Sequence, residues 1–119
     1  MSATTTTATT KIIDRNSLKA KLDQKAKFHL WNVLTKDYYK PDKNIPGSKW
    51  ISVDELEQKL PSLNAQKEDE IVVYCGGLQC PSSKRAAEKL VRMGFKNVSA
   101  YEGGIADWAE GNLPLVSLG

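Results

Sequence analysis

Apolar and polar residues are arranged along the chain in short segments that predict strands alternating with helices. The clearest segment is residues 71–74, Ile-Val-Val-Tyr, a continuous apolar run typical of a strand buried on both faces of a parallel sheet. A short loop follows, and then apolar residues recur at helical spacing from Ala86 to Met93 until Gly94 supplies a stop signal. Pro81, whose missing N–H suits a first helical turn, opens this helix. The stretch predicts a central strand, a loop and a helix in that order.

Weaker patterns on both sides of this stretch predict the rest of the sheet and its helices. Further strands are predicted over residues 11–13, 28–34, 48–51 and 96–101. A first helix is predicted over about residues 17–25, after the cap Asn16. A second is predicted from the capping box Ser52-x-x-Glu55 until Pro61. A last helix, which contains Ile105 and Trp108, is predicted after Gly103-Gly104. Strands alternating with helices indicate one α/β domain over residues 11–119, with a five-stranded, mainly parallel sheet and helices on both faces.

Composition and charge exclude several classes of protein. With 119 residues, of which 40% are hydrophobic and 26% charged, the chain is expected to form one domain with its own core. The net charge of +3 is dispersed, which argues against a nucleic-acid partner but would not repel a small anion. Without a long apolar run or a secretory signal, we expect no membrane partner and a cytoplasmic location. The threonine-rich residues 1–10 are expected to be a disordered tail.

The candidate chemistry lies where the central strand ends. Cys75 follows the strand directly and should face the amino end of the next helix, where free N–H groups and the helix dipole favour anions. A thiol in that position is expected to lose its proton more easily than usual. Gly76 and Gly77 are expected to adopt positive φ and to turn their amides inward as an anion-binding nest. This pattern predicts a nucleophilic cysteine, and the alternative is a buried structural thiol.

The loop after Cys75 supplies the candidate binding residues. They share proximity to its thiol, either in the loop or in the first turns of the helix: Gly76, Gly77, Leu78, Gln79, Cys80, Pro81, Ser82, Lys84 and Arg85. The loop itself has no basic residue, so an anionic substrate would depend on backbone amides and on Lys84 or Arg85, unless these two form only a solvated helix face. Cys80 is a candidate resolving thiol if the loop curls back toward Cys75, and otherwise a packed structural residue.

Three other kinds of site are disfavoured by the residues present. A phosphatase-type loop requires an arginine at the sixth position after the cysteine, where this chain has Pro81. A cysteine–histidine protease is disfavoured because the single histidine, His29, is expected inside the second strand, packed and hydrogen-bonded. Two cysteines and one histidine are too few ligands for a zinc site. We therefore expect no metal and no cofactor.

Several segments together resemble one family. Val-Val-Tyr-Cys75, Gly94-Phe95, Tyr101-Glu102-Gly103-Gly104, Leu113-Pro114 and the earlier Ile45-Pro46-Gly47 resemble the rhodanese-like (sulfurtransferase) domains over about residues 11–116. The spacing of the two cysteines is similar to a single-domain group with a Cys-x4-Cys active loop. The resemblance implies a five-stranded, mainly parallel sheet and a cysteine that carries sulfane sulfur as a persulfide. It also implies a thiosulfate-like donor and a cyanide or thiol acceptor.

The chain departs from the family pattern at three positions outside the loop. Where the family usually has Asp-Val-Arg at the end of the second strand and a histidine before Ile-Pro-Gly, this chain has Asn32, Leu34 and Asn44. These departures leave two alternatives to a sulfurtransferase. One is a non-catalytic rhodanese-homology module for binding or regulation, and the other is a dithiol redox element that uses Cys75 and Cys80. The physiological donor, the acceptor, including any protein acceptor, and the oligomeric state are not defined by the sequence.

Overall fold

The computed structural model describes residues 11–117; the predicted tail, residues 1–10, lies outside the described residues. The strands are β1 Lys11–Ile12, β2 His29–Asn32, β3 Lys49–Trp50, β4 Glu70–Tyr74 and β5 Asn97–Tyr101. The helices are α1 Arg15–Asp23, α2 Leu56–Lys59, α3 Ser82–Arg92 and α4 Gly104–Glu110. No helix in residues 11–117 is both long enough and apolar enough to cross a membrane.

The five strands form one parallel sheet in the order β1-β5-β4-β2-β3. The predicted sheet and its central strand are thereby confirmed, with β4 hydrogen-bonded to β2 on one side and to β5 on the other. Asn32, Tyr74 and Tyr101 are in register at the carboxyl ends of these three strands. The loops that follow β2, β4 and β5 therefore leave the sheet at the same edge.

Helices cover both faces of the sheet, as expected. One core contains Ile71 and Val73 of β4 and packs against buried residues of α2 and α3, such as Leu56 and Leu90. The other core contains Val72 and Tyr74 of β4 together with Leu18 of α1 and Trp108 of α4. The continuous apolar run of β4 is explained by this double burial, because alternate residues of the strand enter opposite cores.

Helix boundaries differ from the predicted ones in four places. The cap of α1 is Asp14, whose carboxylate accepts a hydrogen bond from the Ser17 amide at 2.8 Å, and Asn16 lies inside the helix. Ser52 caps the next segment through the amide of Asp54 rather than that of Glu55, because this segment begins as a 3₁₀ turn. The segment also continues through Pro61 to residue 63, since proline is tolerated at the start of its last, 3₁₀ part. Pro81 lies immediately before α3 instead of inside its first turn.

Candidate active site

Cys75 is held in place by the amino end of α4. Its carbonyl oxygen accepts a hydrogen bond from the Ile105 amide at 3.0 Å, and the Gly76 carbonyl accepts one from Ala106 at 2.9 Å. Gly104 has a φ of +61°, and a Cβ at this position would lie 2.3 Å from the Cys75 carbonyl oxygen. Only glycine allows this close approach, so the turn between β5 and α4 fixes the start of the active loop.

The loop curls back on Cys75, which is the condition that a resolving role of Cys80 requires. The Cys75 thiol donates a hydrogen bond to the carbonyl oxygen of Cys80 over 3.4 Å. The Cys80 amide in turn donates to the Gly77 carbonyl at 3.0 Å, which closes a tight turn. The expectation of positive φ at Gly76 and Gly77 is wrong: the glycines with positive φ in the described chain are Gly47, Gly94 and Gly104. The loop forms without a glycine nest because the first turn of α4 binds its carbonyls.

The two thiols have different acidities, and the difference is not the one expected from the helix dipole. Burial raises the pKa of the Cys75 thiol, and the neighbouring Cys80 thiol adds to this rise, while hydrogen bonds from the Ser83 hydroxyl and amide oppose it. Burial also acts to raise the pKa of Cys80, but hydrogen bonds from Cys75 and from the Gly76 and Ser82 amides outweigh it and lower that pKa. The more acidic thiol is therefore Cys80. The sequence could not show this, because burial depends on the complete packing of the loop.

A cleft of about 770 Å³ opens beside the loop. Its wall is mostly apolar, and the charged side chains in it are all cations: Lys40, Lys43 and Arg85. Of the predicted binding residues, the cleft brings together Gly76, Gly77, Gln79, Cys80, Pro81, Ser82 and Arg85. It is not lined by Cys75, which has 0% exposed surface, nor by Leu78 or Lys84, and Leu78 is 81% exposed.

Lys40 and Lys43 were missed by the sequence reasoning. They lie in the loop between β2 and β3, more than thirty residues before Cys75. The order of the strands could have indicated them. Their loop leaves the carboxyl end of β2, which is next to β4 in the sheet, and ligands of parallel sheets bind at that edge. Positive charge at the cleft is therefore supplied by a loop distant in sequence as well as by Arg85.

The family departures at Asn32 and Asn44 form a buried amide pair. The Asn32 side-chain N–H donates to the Asn44 side-chain oxygen at 2.9 Å, and the Asn32 oxygen accepts from the Leu34 amide at 3.0 Å. The Asn44 amide group donates to the Pro41 carbonyl at 3.0 Å. Both asparagines have no exposed surface, and the neutral pair is hydrogen-bonded and holds the loop from Lys40 onward.

His29 takes no part in this site. It lies at the first position of β2, at the opposite end of the strand from Asn32. Its Nε2 is 3.0 Å from a carboxylate oxygen of Asp69, and its ring packs against Trp31 at a centroid distance of 5.5 Å. The interpretation of His29 as a packed, hydrogen-bonded strand histidine is confirmed.

Fold and site together define a class: a parallel α/β domain with a cysteine loop between its central strand and the following helix. The chain belongs to the family described as "Rhodanese-like domain", whose model matches residues 14–111. The resemblance to this family noted in the sequence is thereby confirmed, and the similarity to a group with a Cys-x4-Cys loop stays a prediction.

Known relatives and solved structures agree with this assignment. A rhodanese-like domain from Anabaena has a TM-score of 0.72 and 26% identity, covering 92% of this chain and 81% of that one. A thiosulfate sulfurtransferase from Pseudomonas aeruginosa has a TM-score of 0.78 and 23% identity, covering 91% of this chain and 20% of that one, and shows the fold alone. A protein named tRNA uridine(34) hydroxylase from Yersinia enterocolitica is 38% identical over 71 residues, 56% of this chain. The match spans only 19% of that relative's length.

Proposed function

We propose that this domain is a sulfurtransferase that carries sulfane sulfur as a persulfide on Cys75. The observation that supports it most is the active loop: Cys75 at the carboxyl end of the central strand, enclosed by a loop that opens on a cleft with an exclusively cationic set of charged residues. Lys40, Lys43 and Arg85 attract an anionic donor such as thiosulfate into this cleft.

The reaction consists of two displacements at sulfur. Sulfane sulfur from the donor becomes bonded to Cys75, and sulfite leaves with the electron pair of the broken sulfur–sulfur bond. The Ser83 hydroxyl and amide hydrogen-bond the sulfur of Cys75 and stabilise negative charge there, in the manner of an oxyanion hole. Cyanide or a thiol then attacks the terminal sulfur and restores the Cys75 thiol. The proposed partners are small molecules, namely the anionic donor and the cyanide or thiol acceptor. Because the sulfur atom only passes from one nucleophile to another, the proposed reaction requires no metal or organic cofactor.

Cys80 also has a proposed protective role. Its thiol can attack the inner sulfur of a Cys75 persulfide, which forms a Cys75–Cys80 disulfide and releases hydrosulfide. Mild peroxide, which oxidises a thiol to sulfenic acid, should give the same crosslink in the wild type when the other thiol displaces water from the sulfenic acid, whereas Cys80→Ser should accumulate sulfinic acid on Cys75. Equal overoxidation of both proteins, without a crosslink, would assign Cys80 a purely structural place.

The central test is sulfur uptake measured by intact mass spectrometry. Thiosulfate should add one sulfur, about 32 Da, which cyanide removes as thiocyanate, and fragment-ion mapping should locate it on Cys75 at the end of the reaction. The variant with both Cys75→Ser and Cys80→Ser is the matched control and should take up no sulfur. If the wild type gains no sulfur from thiosulfate, mercaptopyruvate or polysulfide, the proposal fails and a binding module is the better interpretation. Reversible disulfide formation without sulfur uptake would instead favour a dithiol redox element.

A further inference from the structure

The two cysteines of the active loop differ in what they face. Cys75 has no exposed surface and does not line the cleft. Cys80 is half-buried and forms part of the cleft wall. A donor that enters the cleft therefore meets Cys80 before it can reach Cys75.

Each thiol has its own set of hydrogen-bond donors. The amide and hydroxyl of Ser83 interact with Cys75, and those of Ser82, together with the Gly76 amide, interact with Cys80. Ser82 and Ser83 are buried in the first turn of α3, where backbone N–H groups have no acceptor within the helix. These donors stabilise negative charge on both sulfur atoms, whereas a purely structural cysteine would need none.

The two cysteines are also neighbours in the closed loop. The Cys75 Sγ lies 3.4 Å from the Cys80 carbonyl oxygen, and each thiol shifts the pKa of the other. A sulfur atom added to Cys80 would therefore lie beside Cys75. Passing it on requires only a local rotation of the side chains.

On the basis of the sulfur transfer proposed above, we infer that Cys80 is the entry thiol, which takes sulfane sulfur from the donor in the cleft and passes it to Cys75. In the first step the Cys80 thiolate attacks the sulfane sulfur of thiosulfate. A new sulfur–sulfur bond forms, the bond within thiosulfate breaks, and sulfite leaves with its electron pair. Cys80 then carries the persulfide.

In the second step the sulfur moves inward. Cys75 gives its proton to the persulfide and attacks the terminal sulfur atom, and Cys80 leaves as a thiolate. The product is a hydropersulfide on Cys75, with the sulfane sulfur in the same oxidation state, so neither step uses an external oxidant or reductant. Attack on the inner sulfur would instead release hydrosulfide and leave a disulfide. Inward transfer stores the sulfur on the residue that is shielded from solvent.

The ionisation of the two thiols supports this direction of transfer. The pKa of Cys80 is lowered and that of Cys75 is raised, for the reasons given above. Since the thiolate is the reactive form, the thiol in the cleft wall is also the one better prepared to attack a donor.

The order of loading can be measured without any substitution. Wild-type protein is mixed with thiosulfate, quenched at successive times with an excess of an alkylating reagent that traps persulfides, and mapped by fragment ions. We expect labelled sulfur on Cys80 at early times and on Cys75 at late times. A persulfide that appears first on Cys75 would overturn the relay while leaving the proposed function intact. An absence of sulfur uptake would instead overturn the proposed function itself.

Matched variants test the same order independently. Cys80→Ser should load Cys75 to the wild-type endpoint but severalfold more slowly, because the remaining thiol is buried and does not line the cleft. Cys75→Ser should retain sulfur on Cys80. Ser82→Ala should slow the first phase, and Ser83→Ala should lower the final fraction on Cys75. Loading of Cys80→Ser at the wild-type rate, with no sulfur on Cys75→Ser, would show that the donor reaches Cys75 directly.

Discussion

Replacement of Gly104 by alanine should distort the active loop and destabilise the domain, because the backbone of this loop packs directly on Gly104. A Cβ there would lie 2.3 Å from the Cys75 carbonyl oxygen and 2.9 Å from two backbone atoms of Gly76 and Gly77. Real Cβ contacts essentially never fall below 3.0 Å, so the two backbones must separate. The atoms in conflict are backbone atoms, which cannot move aside as the end of a side chain can.

The size of the effect follows from three contributions. Alanine at a left-handed φ of +61° costs about 1–2 kcal/mol. Separation of the loop from α4 weakens two hydrogen bonds, Ile105 to Cys75 and Ala106 to Gly76. Each is worth about 0.5–1.5 kcal/mol. The expected loss in the free energy of unfolding is therefore about 2–5 kcal/mol, a large part of the stability of a typical domain.

Gly76→Ala is the matched control, since it adds the same methyl group on the other side of this contact, in the active loop itself. Its Cβ would meet only a Leu34 methyl group, at 3.9 Å, and its φ is not positive. The free energy of unfolding should change by less than about 1 kcal/mol. Urea denaturation followed by the fluorescence of the buried Trp31 and Trp108 measures both variants. A Gly104→Ala protein as stable as Gly76→Ala would show that α4 does not brace the loop.

Two further predictions concern the cations of the cleft and the asparagine pair that holds their loop. The double variant with Lys40→Glu and Lys43→Glu should raise the KM for thiosulfate severalfold at low ionic strength with little change in kcat, because these cations act by attracting the donor. Lys84 lies outside the cleft wall, so Lys84→Glu is the control. An equal rise in the KM of this control would contradict the role of Lys40 and Lys43 in attracting the donor. Asn32→Asp should lower the free energy of unfolding by about 1–3 kcal/mol at neutral pH, because a carboxylate cannot donate to Asn44. Burial would raise the pKa of this carboxyl, so the acid becomes protonated and regains a donor as the pH falls. The loss in the free energy of unfolding should therefore be smaller at about pH 5 than at about pH 7. Equal losses at the two pH values, measured by urea denaturation, would refute this reasoning.

The part of the fold that could be predicted from the sequence is the part with strong periodicity. The run at residues 71–74 is apolar because the strand enters both cores, and the helix after it repeats its apolar residues at helical spacing. The ends of weaker elements could not be predicted equally well. Asp14 and Asn16 are both residue types that often cap a helix. The helix begins after whichever of them places its side-chain oxygen on a backbone amide of the first turn, and here that residue is Asp14. Pro61 allowed the chain to continue because the segment there is a 3₁₀ turn.

The candidate site was predictable in position but not in its chemistry. The place of Cys75 follows from the strand and the loop, which are local in sequence. The acidity of the two thiols depends on the burial of Cys75 and on Ser82 and Ser83, which pack only when the loop has closed. The positive charge of the cleft depends in part on Lys40, which lies beside the loop only because β2 and β4 are neighbours. Long-range proximity of this kind leaves no periodic signal in one sequence.

The departures from the family pattern bear on whether the domain has kept an active site. Asn32 and Asn44 hydrogen-bond directly to each other, and Leu34 is buried in the wall of the cleft, so none of the three leaves an unpaired polar side chain at the site. The asparagine pair holds the carbonyl of Pro41 and so fixes the loop that carries Lys40 and Lys43 to the cleft. Two of the three cations of the cleft, Lys40 and Lys43, are thus supplied from this loop instead of from the end of β2, and the third, Arg85, comes from α3. None of the groups that the proposed sulfur transfer uses is lost by these substitutions, which favours a working sulfurtransferase over a module that only binds.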